Sequence, residues 1–250
     1  MSNEQTPNLP VPVAPFTGAC RQVDAGACFE WLRAGWMMFL ANPGAWIGAT
    51  VLLLVILFAI SIVPVFGQIA FNLLLPVFAG GLVLMCQRQH SGEQAEIADL
   101  FAGFRHNAGA LVMVGLFYVL GIFGVAFVGT ILVSSGIIGG TITGKVAGFG
   151  IAFGAAMLAG VVVFLLSIPV VMATWFAPLL VFLHDMQPLP AMKASFRAGL
   201  KNWVAMIVFG LLLIVGLFFA LLPVMLGLLL FVPIFTGAAY RSYRDIFLES

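Results

Sequence analysis

The sequence predicts an all-α membrane protein with six transmembrane helices, built as three repeats of an interfacial amphipathic helix plus a transmembrane hairpin. Three observations lead there. First, 63% of the 250 residues are hydrophobic and 8% are charged, against about 45–50% and about 25% in a soluble domain. The mean hydropathy is +1.18. Second, long uncharged stretches recur at lengths suited to a hydrocarbon core of roughly 30 Å. Third, an aromatic-and-asparagine pattern returns three times, each time just before such a stretch, which is how a repeat architecture announces itself.

The same composition excludes a soluble globular domain. With 24 Phe and 5 Trp it also excludes disorder beyond the chain ends. The formal net charge is +1, so no global field invites nucleic acid.

Residues 1–23 read as a disordered, Pro-rich cytoplasmic tail, because Pro7, Pro10, Pro12 and Pro15 favour extended, solvated chain. An acid precedes any base there and no apolar core follows, so the segment does not read as a cleavable signal. Residues 24–244 form one transmembrane domain, with units over about 24–88, 96–184 and 190–244, and 245–250 make a short cytoplasmic tail. In the first unit an interfacial helix over 24–41 is expected to turn Phe29, Leu32, Trp36 and Phe39 inward and Glu30 and Arg33 outward. Spans follow at 45–63 and 69–85. In the second unit Asp99 reads as an N-cap before Leu100, Phe101 and Phe104, and a span follows at 110–133.

The next uncharged stretch, 148–183, would reach roughly 54 Å as a helix. Charge placement decides that it is one crossing. With six spans, Arg21, Arg33, Arg88, Arg105, Lys193, Arg197, Lys201, Arg241 and Arg244 share one side and Lys145 alone lies on the other. That is a strong positive-inside bias, and it puts both termini in the cytoplasm. A seventh span would break it. The third unit has an interfacial helix over 190–203, with Met192, Phe196, Leu200 and Trp203 on one face, and spans at 204–222 and 224–240.

The repeat signature is Trp36-x2-Phe39-x2-Asn42-Pro43, then Phe101-x2-Phe104-x2-Asn107, then Phe196-x2-Gly199-x2-Asn202-Trp203. Asn42, Asn107 and Asn202 are read as helix-boundary residues capping the span that follows, with joint substrate binding as the alternative. Pro76, Pro169, Pro178 and Pro233 are read as helix-kink residues. Asparagine-to-proline spacings are 34 (42 to 76), 71 (107 to 178) and 31 (202 to 233), so the middle unit carries an insertion of about 37–40 residues. The insertion falls around 134–159, with Gly136, Gly140, Gly144 and Gly148 at four-residue steps. Such a series permits close helix contact or marks a flexible turn; the turn is the favoured reading, with a helix extension or a re-entrant segment left open.

Reactive groups are few. Cys20, Cys28 and Cys86 are odd in number and loosely spaced, which fits neither a disulfide framework nor a zinc site. His90, His106 and His184 fall with the carboxylates in cytoplasmic segments and read as solvated loop residues. No phosphate loop, nucleophile elbow or paired His on one helical turn is present. No span carries an ionisable residue at its centre, where coupled pumps usually keep one. No catalytic, cofactor or metal residue is therefore assigned, and the chain is not expected to be an enzyme.

With these residues in view, the chain resembles a family of uncharacterised bacterial inner-membrane proteins. The matching pieces are Trp36-x2-Phe39-x2-Asn42-Pro43, Pro64-Val65-Phe66-Gly67, Pro76-Val77-Phe78-Ala79-Gly80-Gly81 and Asp99-Leu100-Phe101-Ala102-Gly103-Phe104. The third unit is also similar, more distantly, to a six-span membrane domain found fused to some glycerophosphodiester phosphodiesterases. No hydrolase domain is present here, so that activity does not carry over. The resemblance implies a six-helix fold in the bacterial inner (cytoplasmic) membrane, with no assigned activity.

The expected function is a non-catalytic membrane scaffold or lipid-interacting protein. Its expected partners are membrane lipids, with a homo-oligomer or a protein partner left open. Lys193, Arg197 and Lys201 repeat at four-residue steps along one edge of the third interfacial helix, and such a stripe meets anionic lipid at about 1 kcal/mol per base. The alternative is a carrier or flippase-like transporter of a lipid or small apolar molecule, for which interrupted helices are the argument.

Overall fold

The computed structural model describes residues 18, 20–143, 145–223 and 225–248, with nothing taken from the side chains of 145 and 146. The tail over 1–17, Gly144 and the last two residues lie outside the described residues. Ten α-helices follow in order: α1 Ala27–Ala41, α2 Pro43–Ser61, α3 Phe66–His90, α4 Ala102–Arg105, α5 Ala108–Thr143, α6 Lys145–Trp175, α7 Ala177–His184, α8 Pro188–Lys201, α9 Trp203–Leu221 and α10 Leu228–Phe247. A 3-10 turn, Ile97–Phe101, leads into α4. No strand occurs among the described residues.

Among the described residues, five stretches are long and apolar enough to cross a membrane: α2, α3, α5, the run Ala147–His184 that joins α6 to α7, and α9. α10 differs, because Arg241, Arg244 and Asp245 follow its apolar run 228–240. The helix starts have local causes. Pro43 stands in the first turn of α2, where a missing N–H is harmless, and Asn42 Oδ1 accepts the Ala45 N–H at 3.3 Å. Pro178 and Pro188 occupy the same place in α7 and α8.

The shorter helical segments pack on the longer helices. α1 lies along α10, the 3-10 turn and α4 lie against α3, and α8 lies against α6 and α7. The first contact is made at backbone distance. A Cβ on Gly35 would stand 2.1 Å from the Ile234 carbonyl oxygen and 2.8 Å from the Ala238 nitrogen. The core gathers where these segments meet: Trp31, Trp46, Met85, Leu100, Leu111, Phe176, Phe182, Phe209, Tyr240 and Tyr243 are fully buried.

Four expectations need correction. The buried face of α1 is Cys28, Trp31, Gly35 and Phe39, while Phe29 is 62% exposed and Trp36 also faces out. The close approach of α10 at Gly35 chooses that face, and it leaves Phe29 and Trp36 for the surroundings. Asp99 is not an N-cap: it sits inside the 3-10 turn and its Oδ2 accepts the Glu96 N–H at 2.9 Å, so Glu96 is the boundary residue. Pro178 does not kink a continuous helix. The helix breaks at Phe176, whose N–H is taken by Ser195 Oγ at 3.0 Å, and Pro178 then starts α7; Pro76, Pro169 and Pro233 do stand inside helices.

The largest correction concerns the insertion. It is a helix extension on both arms, 36 residues in α5 and 31 in α6. Cβ atoms would meet Ala155 from Gly136 at 2.1 Å, and the Gly140 carbonyl from Gly148 at 2.0 Å. These glycines are contact points between two helices. A glycine series weakens an isolated helix, but close packing of a neighbouring helix compensates.

Candidate functional site

Polar chemistry concentrates at the end of the bundle that carries α1, α4 and α8, and three asparagines organise it. Asn42 Nδ2 donates to the Ala95 carbonyl at 3.0 Å, just ahead of the 3-10 turn. Asn107 Nδ2 donates to the Val181 carbonyl at 3.1 Å and to Asp185 Oδ1, shortly before α8. Asn202 Nδ2 donates to the Arg21 carbonyl at 3.0 Å while its Oδ1 accepts the Val23 N–H at 2.8 Å, ahead of α1. Each asparagine thus binds main chain far away in sequence. Only Asn42 is seen capping its own following helix through its side chain. The Asn202 amide makes no such cap, because its oxygen is already taken by Val23. Asn107 has φ 58, a left-handed conformation that asparagine tolerates better than most residues.

Replacing Asn202 with alanine removes three hydrogen bonds, to Arg21, Val23 and Ala198, from a site that is 3% exposed, an expected loss of about 1–2 kcal/mol. Limited trypsinolysis should then cut after Arg21 faster than in the wild type. An unchanged cleavage rate would show that the N-terminal segment is held by something else.

Asp245 forms a second node. Its Oδ2 accepts the buried Trp31 indole N–H at 2.8 Å, and its Oδ1 meets Arg21 Nη2 at 3.0 Å and Arg241 Nη2 at 3.5 Å. Arg21 also donates from Nε to the Asp245 carbonyl at 2.7 Å. Between these nodes α10 meets α3 and α7 through side chains: Tyr240 donates to Gln87 Oε1, and His184 Nε2 pairs with the Tyr243 hydroxyl. His184 is therefore no solvated loop residue, since the fold turns it back against α10. His106 pairs with Asp185 at 2.9 Å, and His90 is exposed beside the Tyr240 ring. Burial raises the Asp99 carboxyl above its ordinary range, against the Glu96 N–H and the Arg88 charge that favour its ionised form. Burial also raises the Cys28 thiol, whose Sγ donates to the Ala25 carbonyl at 2.9 Å. A buried, protonated thiol is a poor nucleophile.

On α8, Ala191, Ser195, Ala198 and Gly199 are buried, while Lys193, Arg197 and Lys201 are exposed. Lys201 Nζ donates to the Cys20 carbonyl at 2.5 Å; Arg197 and Lys193 lie about one and two turns before it. Leu200 and Trp203 are more than half exposed, so an apolar edge runs beside the basic one. Where α8 begins, an open groove of about 440 Å³ separates it from the start of α5, lined by Gly109, Ala110, Met113 and Phe117 on one side and Leu189 and Pro190 on the other. Among the described residues no group of three or more His, Cys, Asp or Glu side chains could hold a metal.

The residues that sequence reasoning missed are Trp31, Gln87, Ser195, Tyr240, Tyr243 and Asp245. One signal was available: Ile246 and Phe247 follow Asp245 directly, which marks a helix that continues and packs rather than a solvated tail.

Helices of this length and apolarity, with polar groups paired at one end, define an integral membrane protein. Over 218 residues, 83% of this chain and 80% of the relative, it is 30% identical to a protein of Burkholderia thailandensis named "Probable inner membrane protein". The chain belongs to that family of inner membrane proteins. No family model matches it, and no solved structure does.

Proposed function

We propose that this protein is a six-span, non-catalytic scaffold of the bacterial inner membrane, with both termini cytoplasmic, that holds anionic lipid along α8. The unit plan is supported by the cyclic order of contacts. α4 packs on the first hairpin, α8 on the second and α1 on the third, and Asn42, Asn107 and Asn202 tie main chain in the same order. In this reading α10 is the sixth crossing, and nine of the ten basic residues lie on the cytoplasmic side. The likeness of the third unit to phosphodiesterase-fused membrane domains rests on sequence alone and adds no activity.

The observation that carries the lipid reading is the apolar groove at the start of α8 beside its basic edge. Leu189, in the groove, is followed on the same edge by Lys193 and Arg197 at four-residue steps. An acyl chain suits the groove, whose volume is in the range of small-molecule sites. A phosphate headgroup suits the two bases at about 1 kcal/mol each. The test uses the full-length protein in mild detergent, titrated with phosphatidylglycerol or phosphatidylcholine and read by native mass spectrometry. Lys193→Glu with Arg197→Glu should weaken phosphatidylglycerol retention by roughly 30-fold, from about 2 kcal/mol, and leave phosphatidylcholine unchanged. Equal retention of both lipids by the wild type would overturn the reading. Lys201 is left intact because it holds the N-terminal segment.

Transport of a lipid or small apolar molecule is the second reading, favoured by the helix break at Phe176. Head-to-head lipid scrambling assays in vesicles distinguish it from the scaffold.

A further inference from the structure

The middle hairpin is longer than its neighbours in a way that neither lipid binding nor the internal packing uses. α5 has 36 residues where α2 and α9 have 19, roughly 54 Å against roughly 28 Å. The shorter pair matches a hydrocarbon core of roughly 30 Å, and Asn42, Asn107 and Asn202 each stand immediately before one of the three helices. Nineteen residues into α5 the chain has reached Ala126. The rest, 127–143, runs on with its partner arm in α6, to which Gly129 is matched at Val163 and Gly136 at Ala155.

This overhang is apolar on its outside. Phe127, Ile138, Ile142, Phe149, Phe153 and Met157 are each more than half exposed, and in the most apolar window of the second arm only 6% is buried. Four of its five hydroxyls are spent on their own helices: Thr130, Ser135, Thr141 and Thr143 donate to carbonyls three or four residues back. Lys145 is its sole ionisable residue. Even at a tilt of about 40° the helix would still reach roughly 41 Å, more than the hydrocarbon core takes up.

We propose that the overhanging parts of α5 and α6 form an interface between two copies of this chain. Two arms about 25 Å long and about 10 Å wide offer roughly 500 Å² on one face. Two copies together then bury about 1,000 Å², the level a specific interface needs. Apart from Lys145 at the start of α6 the overhang has no ionisable residue with which to select a different partner, and copies in one membrane share an orientation, so an isologous contact about an axis along the membrane normal closes on itself. Gly150 and Gly154, exposed and with open space where a Cβ would stand, mark the place where α6 can approach its counterpart as closely as it approaches α5 at Gly148. The proposal is independent of the lipid reading.

Subunit counting by single-molecule photobleaching of the full-length protein, diluted in lipid vesicles, tests it. The wild type is expected to be dimeric, and Gly150→Leu with Gly154→Leu to raise the dissociation constant at least tenfold. Gly210→Leu on α9, where a Cβ also has open space, should change nothing. As a second measurement, Gly154→Cys should form a disulfide-linked dimer under mild oxidation. A monomeric wild type, a leucine variant as dimeric as the wild type, or a different polypeptide co-purifying on the hairpin in place of the second copy would each overturn it.

Discussion

Gly35→Leu is expected to leave little folded protein. The added side chain starts 2.1 Å from the Ile234 oxygen and 2.8 Å from the Ala238 nitrogen. Both are backbone atoms of α10, so no rotamer change relieves the clash. Overpacking usually costs about 1–3 kcal/mol; here α1 must move off α10, and the expected loss is about 3 kcal/mol or more. The separation would also draw Trp31 away from Asp245. Thermal unfolding in detergent, followed by tryptophan fluorescence, should show a large fall in Tm or no cooperative transition. The comparison is Gly26→Leu, where a Cβ meets nothing within 4 Å. Equal effects at both positions would show that the α1–α10 contact is not the reason for glycine at 35.

Asp245→Ala is the second large effect. The carboxylate is 6% exposed and serves Trp31, Arg21 and Arg241 at once. The Arg21 side chain is 45% exposed, so water screens much of its share. The Trp31 indole N–H is fully buried and loses its acceptor outright, and hydrogen bonds to charged groups contribute about 1.5–3 kcal/mol. A destabilisation of about 2–3 kcal/mol is expected, together with release of the N-terminal segment. Asp245→Asn keeps an acceptor for the indole and should recover part of the loss. If the asparagine and alanine variants melt together, the charge matters and the Trp31 hydrogen bond does not.

How far the sequence reached differs by residue. The aromatic-and-asparagine spacing found Asn42, Asn107 and Asn202, because their recurrence is visible along the chain. It could not find the carbonyls of Ala95, Val181 and Arg21 that they bind, because a main-chain acceptor has no residue identity. His184 was misread for a related reason: a histidine at a helix end looks solvated until α10 arrives with Tyr243. The glycines of the insertion are compatible with a turn or with a helix contact. The outcome was decided by α6 presenting Gly148 and Ala155 at the matching heights.

Asp245 shows the boundary most clearly. In sequence it belongs to a short polar tail; in the fold it is the acceptor at the centre of a contact spanning 224 residues to Arg21. What the sequence by itself determined is membrane residence, the approximate positions of the apolar runs and the layer in which polar groups collect. Transfer of side chains from water to hydrocarbon is close to additive over residues, so a linear reading captures it. The face that α1 buries, the pairing of Trp31 with Asp245 and the helical overhang of the middle hairpin were decided by tertiary structure alone. Hydrogen bonds and close packing depend on distance and direction between groups far apart in the chain, and no local pattern encodes those.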